Sequence, residues 1–260
     1  MTCHKFLPPF ILYCKYIYIQ NMCQYFGGKL RIGEEISKRI QEIELQVWGD
    51  NNPLYFEPFI GMAGVFRHIS KNTNVHCIGC DKHVDLMIMW DNVSKGWKPP
   101  RVVSKEFHAQ LKTESPSAIR AFVGFGCSYM GKFFNGYTNS ALRSYNRIIS
   151  VSKQFQEKNV TFMESSDYTE HSPHGMTIYC DPPYIESIVS NKTLKWFRGF
   201  NHEVFWNTMR EWSKENLVVI SETKAPDDFI CIWEKHVGKN FYKGVGGRYE
   251  RLFCHKSYKR

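Results

Sequence analysis

The residues with the most chemical potential are Asp181-Pro182-Pro183-Tyr184, preceded by Cys180. They follow the apolar run Met176-Thr177-Ile178-Tyr179, which places them where a buried strand ends. The Asp181 carboxylate and the Pro182 carbonyl can both accept hydrogen bonds from an amino group. An exposed Tyr184 ring can stack on the ring bearing that amine. The plain alternative is a strand that stops at a Pro-Pro turn, which any fold can contain.

Other candidates lie upstream. Tyr25-Phe26-Gly27-Gly28-Lys29 puts two glycines and a lysine before a helix, a pattern that offers free N–H groups and one positive charge to an anion or carboxylate. Glu57-Pro58-Phe59-Ile60-Gly61-Met62-Ala63-Gly64 reads as a strand end running into a Gly-rich turn, where an open α/β sheet admits a nucleotide-like ligand. Glu57 there suits a cationic ligand better than a pyrophosphate. Asp81 ends the next strand, Val75–Cys80, and fits either a ribose diol or a helix cap. Asp167, after the short strand 160–163, can face a ligand's adenine ring. Cys77 and Cys80 have half the spacing of a zinc site, but no second pair accompanies them, so no metal is expected.

These residues need elements to position them. Ile32, Ile36, Ile40, Ile43 and Val47 recur at helical spacing after Lys29. Strands then alternate with helices, as in an α/β sheet. From Ser94 to Lys158 the texture changes to basic residues interleaved with aromatics and glycines, densest over 122–137. That segment reads as an insertion offering phosphate and base contacts, or as a helical cap whose aromatics are core. Later, Lys192–Arg198 is a basic loop that can close over a ligand, followed by a helix through Phe205, Met209 and Trp212 and a strand over 216–221. Residues 242–254 suggest a hairpin around Gly246-Gly247.

Thirty-four Lys and Arg against 25 Asp and Glu give a net charge of +9, which favours a polyanionic partner. Nine scattered cysteines argue for a reducing, intracellular setting rather than a disulfide framework. The apolar run Phe6–Ile19 is broken by Pro8, Pro9 and Lys15 and falls short of the roughly 20 residues a spanning helix needs, so no membrane is expected. Residues 1–22 read as an extension, with Met22 a conceivable functional start.

Taken in order, Phe26-Gly-Gly-Lys29, the Glu57–Gly64 turn, Asp81 and Asp181-Pro-Pro-Tyr184 resemble the DNA adenine methylases in their alpha-type motif order. The resemblance spans residues 23–254 and implies a Rossmann-like α/β methyltransferase sheet with helices on both faces. Residues 23–93 and 159–260 would form the catalytic domain, and 94–158 an inserted, mostly helical target-recognition subdomain. It also implies S-adenosylmethionine as cofactor and double-stranded DNA as partner, with adenine N6 methylated after base flipping. Tyr25, Lys29, Glu57, Phe59, Gly61, Gly64, Asp81, Asp167 and Asp181 would bind the cofactor, while Asp181, Pro182 and Tyr184 would act on the target base. Ser221-Glu222 departs from the family's later motif and takes no role. The competing readings are an amino-methyltransferase of RNA or protein glutamine and a DNA-binding relative without activity.

Overall fold

The computed structural model describes residues 28–51, 53–184, 199–237 and 248–259. Tyr25, the extension 1–22, the 192–198 loop and the Gly246-Gly247 turn lie outside the described residues. Helix α1 (Gly33–Trp48) forms where the isoleucine stripe predicts it, with Ile36, Ile40 and Ile43 fully buried. Its outer face is polar and carries a Lys38–Glu34 pair.

The strands are β1 (Leu54–Glu57), β2 (Cys77–Gly79), β3 (Val160–Phe162), β4 (Met176–Cys180), β5 (Leu217–Glu222), β6 (Phe229–Val237) and β7 (Arg248–His255). They form one sheet in the order β3-β2-β1-β4-β5-β7-β6. β1 through β5 are mutually parallel, and β7 runs antiparallel to both β5 and β6. This is the expected Rossmann-like α/β sheet. The order reverses between β1 and β4, so the two strand ends there diverge into a crevice. Glu57 and Asp181 stand at those two ends.

Alternation along the strands divides the core. Tyr55, Cys77, Tyr179, Val219, Leu252 and Cys254 pack on one face with α1, while Phe56, Cys80, Ile178, Val218, Ile220 and Phe253 face the helix α7 (His202–Trp212). β4 falls on the predicted residues. The terminal hairpin is a correction: β7 pairs with β6, which begins at Phe229, well before the stretch 242–254. β6 was hidden because it lies at the sheet edge and its residues are mostly part-exposed, so the period-2 apolar signal is weak.

Between β1 and β3 lie α2 (Phe66–Asn72), α3 (Val84–Ser94), α4 (Lys105–Leu111), α5 (Ala118–Gly126) and α6 (Ala141–Glu157). The segment 94–158 is helical as expected, and Val103, Phe122, Phe125, Phe134, Ile148 and Phe155 join the same core as Tyr55 and Val219. Most of its aromatics are therefore core; Tyr129 and Met130 are exposed. The buried Asp85 of α3 ties α5 down, accepting from the Ser117 N–H at 2.9 Å and pairing with Arg120 at 2.6 Å. Cys77 and Cys80 point to opposite faces of the sheet, so they do not converge on one ion.

The start of α1 meets the turn after β1 backbone to backbone. A Cβ on Gly33 would sit 2.0 Å from the Gly64 carbonyl oxygen, and one on Gly64 would sit 3.1 Å from the Lys29 backbone. Gly33→Ala is therefore expected to cost roughly 1–3 kcal/mol, as overpacking does, despite alanine's better helix propensity. Chemical denaturation checks this, and an unchanged midpoint would show that the contact yields.

Candidate active site

Four neighbouring strands deliver polar side chains to one face at one level. Glu57 follows Tyr55 by two residues, Asp181 follows Tyr179 by two, Ser221 follows Val219 by two, and Glu250 precedes Leu252 by two. The apolar member of each pair faces the α1 side of the core, so period-2 alternation puts the polar member there too, at the sheet's carboxyl edge. Lys29, in the turn that leads into α1, completes the cluster.

Lys29 Nζ lies 2.6 Å from Asp181 Oδ1 and 3.4 Å from Glu250 Oε1, and 4.7 Å from the centroid of the Tyr184 ring. Tyr55 donates its hydroxyl to Glu57 Oε1 at 2.6 Å. Tyr184 donates to Glu250 and is 2.9 Å from Ser221 Oγ, which itself donates to Glu250 Oε1 at 2.9 Å. Two carboxylates, Asp181 and Glu250, thus share one ammonium, and Glu57 stands near enough to Asp181 to feel its charge. Glu57 and Glu250 are 2% and 1% exposed, whereas the Asp181 side chain is 17% exposed. Of the three acids, Asp181 is the one an outside amine can reach.

Burial pushes the Glu57 carboxyl well above the usual carboxylate range; the Tyr55 hydrogen bond opposes this and the charge of Asp181 adds to it. Asp181 is also raised, first by burial and then by Glu250, with Lys29 pulling the other way. An excess of buried acid over base is an environment that favours a cationic ligand.

A second group rims the crevice. Gly61 adopts a left-handed φ of 47°, and its N–H donates to Asp81 Oδ2 at 2.9 Å. The other oxygen of Asp81 accepts from the His83 N–H at 2.9 Å, so this acid ties two strand-end turns together and, among the described residues, caps neither the first turn of α3 nor any other helix end. Lys82 pairs with Asp167 at 2.7 Å, and Asp167 caps the short turn Tyr168–Glu170. Burial raises the Asp167 carboxyl, but the hydrogen bonds from Lys82 and Thr169 outweigh it and the net effect is lower. Phe59 packs on Tyr168 and Phe205, with centroids 5.2 and 6.0 Å away.

The structure therefore brings Lys29, Glu57, Asp181 and Tyr184 together, and joins Gly61 to Asp81. Phe59 and Asp167 belong to the rim on the α7 side. Pro182 is buried beside Asp181. One expectation is corrected: the Tyr184 ring is 7% exposed, not an open stacking face. Its hydroxyl finds two buried partners and its ring sits against the Lys29 ammonium, and these contacts outweigh exposure at the strand tip. Sequence reasoning missed Glu250 and gave Ser221 no role. The available signal was an isolated glutamate on the buried face of a strand otherwise lined by Leu252 and Cys254.

No protein-family model matches the sequence, and no curated protein matches it. Among solved structures, the rRNA methyltransferase aviRa from Streptomyces viridochromogenes aligns over 87% of this chain and 86% of its own, at 6% identity and a TM-score of 0.41. A precorrin-6y C5,15-methyltransferase from Geobacter metallireducens aligns over 84% and 88%, at 9% identity and a TM-score of 0.34. TrmN from Thermus thermophilus aligns over 83% of this chain and 47% of its own, at 9% identity and a TM-score of 0.35. These likenesses are loose, and the fold assignment rests on the strand order and the direction of β7.

Proposed function

We propose that this protein transfers a methyl group from S-adenosylmethionine to the N6 amine of adenine in duplex DNA. The observation that carries the reading is Asp181: a partly accessible carboxylate at the tip of β4, beside the order reversal, followed by Pro182 and held by Lys29. The cofactor fits the residues present. Asp181 and Glu250 against Lys29, with the buried Glu57 beside Asp181, suit a ligand bearing ammonium and sulfonium charge. The Gly61–Gly64 turn, packed against the Lys29 backbone and pinned by Asp81, lets a ligand approach the main chain. Asp81, with Phe59 and Asp167 on the rim, would hold the nucleoside portion.

When bound, S-adenosylmethionine supplies an already activated methyl group. The residues of this chain then have to position the acceptor. An adenine amine is a poor nucleophile because its lone pair is conjugated into the ring. Hydrogen bonds accepted by the Asp181 carboxylate and the Pro182 carbonyl favour a pyramidal nitrogen with its lone pair directed outward, and holding it there supplies much of the rate. The charge of Lys29 opposes the rise that burial imposes on the Asp181 carboxyl. A base within a duplex cannot reach this crevice, so it must flip out. The net charge of +9 supports a nucleic-acid substrate.

The test offers labelled S-adenosylmethionine with duplex DNA, RNA of the same sequence, and glutamine-containing peptide. Label in DNA, recovered as N6-methyladenine on hydrolysis, is the expected result. Label in RNA or peptide alone would overturn the substrate assignment, and no label in any acceptor would overturn the activity.

A further inference from the structure

Glu250 sits on β7, far from the motifs that mark the site in the sequence, yet it is the most deeply buried acid of the cluster, at 1% exposure against 2% for Glu57. Its Oε1 accepts from Ser221 and from Tyr184, and Lys29 Nζ lies 3.4 Å away. Its Oε2 is buried with no hydrogen-bond partner among the described residues. Ser221 and Tyr184 bring no positive charge. Among the described residues, Lys29 is the cation within ion-pair distance of Glu250, and Asp181 engages the same ammonium at 2.6 Å. Burying a carboxylate in this state is costly, and a glutamine of equal size would avoid the cost.

We infer that Glu250 is a positioning residue for the proposed reaction: it draws Lys29 and Tyr184 into place and, by sharing the ammonium, leaves Asp181 a stronger acceptor for the incoming amine. The inference rests on the function proposed above. Asp181 is faced by Lys29 from the segment before α1, Glu57 from β1, Tyr179 and Cys180 from β4, Tyr184 beyond it, and Glu250 from β7. Glu250 can be made neutral, as glutamine, while a hydrogen-bond acceptor for Ser221 and Tyr184 is kept. The negative charge of Glu250 holds the Asp181 carboxyl up. Removing that charge lets Asp181 ionise more readily and lets Lys29 neutralise it more completely.

Glu250→Gln tests this in the full chain. Turnover is expected to fall roughly 10–100-fold through loss of acceptor strength and alignment, with little change in KM for the cofactor. The acid limb of the pH–rate profile should move to lower pH. A merely structural glutamate would lower the melting temperature without moving that limb. Unchanged turnover with an unmoved limb would overturn the inference, as would a limb that moves upward. A second measurement separates this from failure of the proposed function: the Asp181 carboxyl can be titrated by carbon-13 NMR without any substrate, in wild type and Glu250→Gln. A lower Asp181 pKa in the variant supports the hold of Glu250 on Asp181 even if no acceptor is methylated, and an unchanged one overturns it.

Discussion

Asp181→Ala is expected to lower methyl transfer by on the order of 10³-fold, the scale seen when a preorganised hydrogen-bonding group is removed from a reaction centre. The variant should keep its fold. Lys29 loses its 2.6 Å partner but retains Glu250 at 3.4 Å, so the ammonium is not left uncompensated. Cofactor binding should weaken far less than turnover falls, because Glu57, Asp81 and the Gly61–Gly64 turn are untouched. Asp181→Asn is the informative companion. It keeps one oxygen acceptor and the side-chain volume, but its amide donors oppose both the Lys29 ammonium and an incoming amine, so it should recover only part of the rate. Single-turnover transfer beside thermal melts provides the check. A variant that folds and turns over normally with alanine at 181 would remove Asp181 from the chemistry altogether.

The largest expected effect on stability comes from Lys29→Met. This keeps the length and apolar stem of the side chain while deleting the charge. Asp181 and Glu250 then lie in a buried cluster without their cation, and Glu57 adds a third acid nearby. Breaking a buried ion pair by removing one partner costs about 3–5 kcal/mol. The sign of the pH dependence follows from Asp181. Its carboxyl is raised in the folded protein, chiefly by burial. Such an acid contributes stability that is fully present below its unfolded pKa and is lost as pH rises through its folded value. Lys29 opposes that rise, so deleting it pushes the carboxyl higher still. The deficit of Lys29→Met should therefore be greatest near neutral pH and shrink on acidification toward the ordinary carboxylate range. Urea titrations of both proteins at pH 7 and pH 5 measure it, and a deficit independent of pH would assign Lys29 a packing role only.

Much of this architecture was legible in the chain. The isoleucines of α1 recur at helical period, and the short run Met176–Cys180 stops at Pro182-Pro183 as a buried strand does; both elements form there. The Gly-rich turn after β1 and the acids at strand ends follow from how open α/β sheets are built. Local patterning could not reveal β6, whose partly exposed edge position blurs alternation, nor the insertion of β7 between β5 and β6. It also could not tell whether Asp81 caps or binds, since the carboxylate's partners are turns 20 residues apart in the chain.

By itself, the sequence determined the class of sheet and placed Glu57, Asp81 and Asp181 at strand ends with Lys29 ahead of the first helix, because strand and helix periods and turn chemistry act over a few neighbouring residues. Only the tertiary structure decided who touches whom: Lys29 reaches Asp181 across 152 residues, and Tyr184 turns inward to Glu250 across 66. Those contacts depend on strand order and on which faces align, and no local rule encodes either. The tyrosine's burial and the glutamate's place in the site are therefore products of the sheet's topology, which sets β4, β5 and β7 side by side and gives Asp181 and Glu250 one shared ammonium.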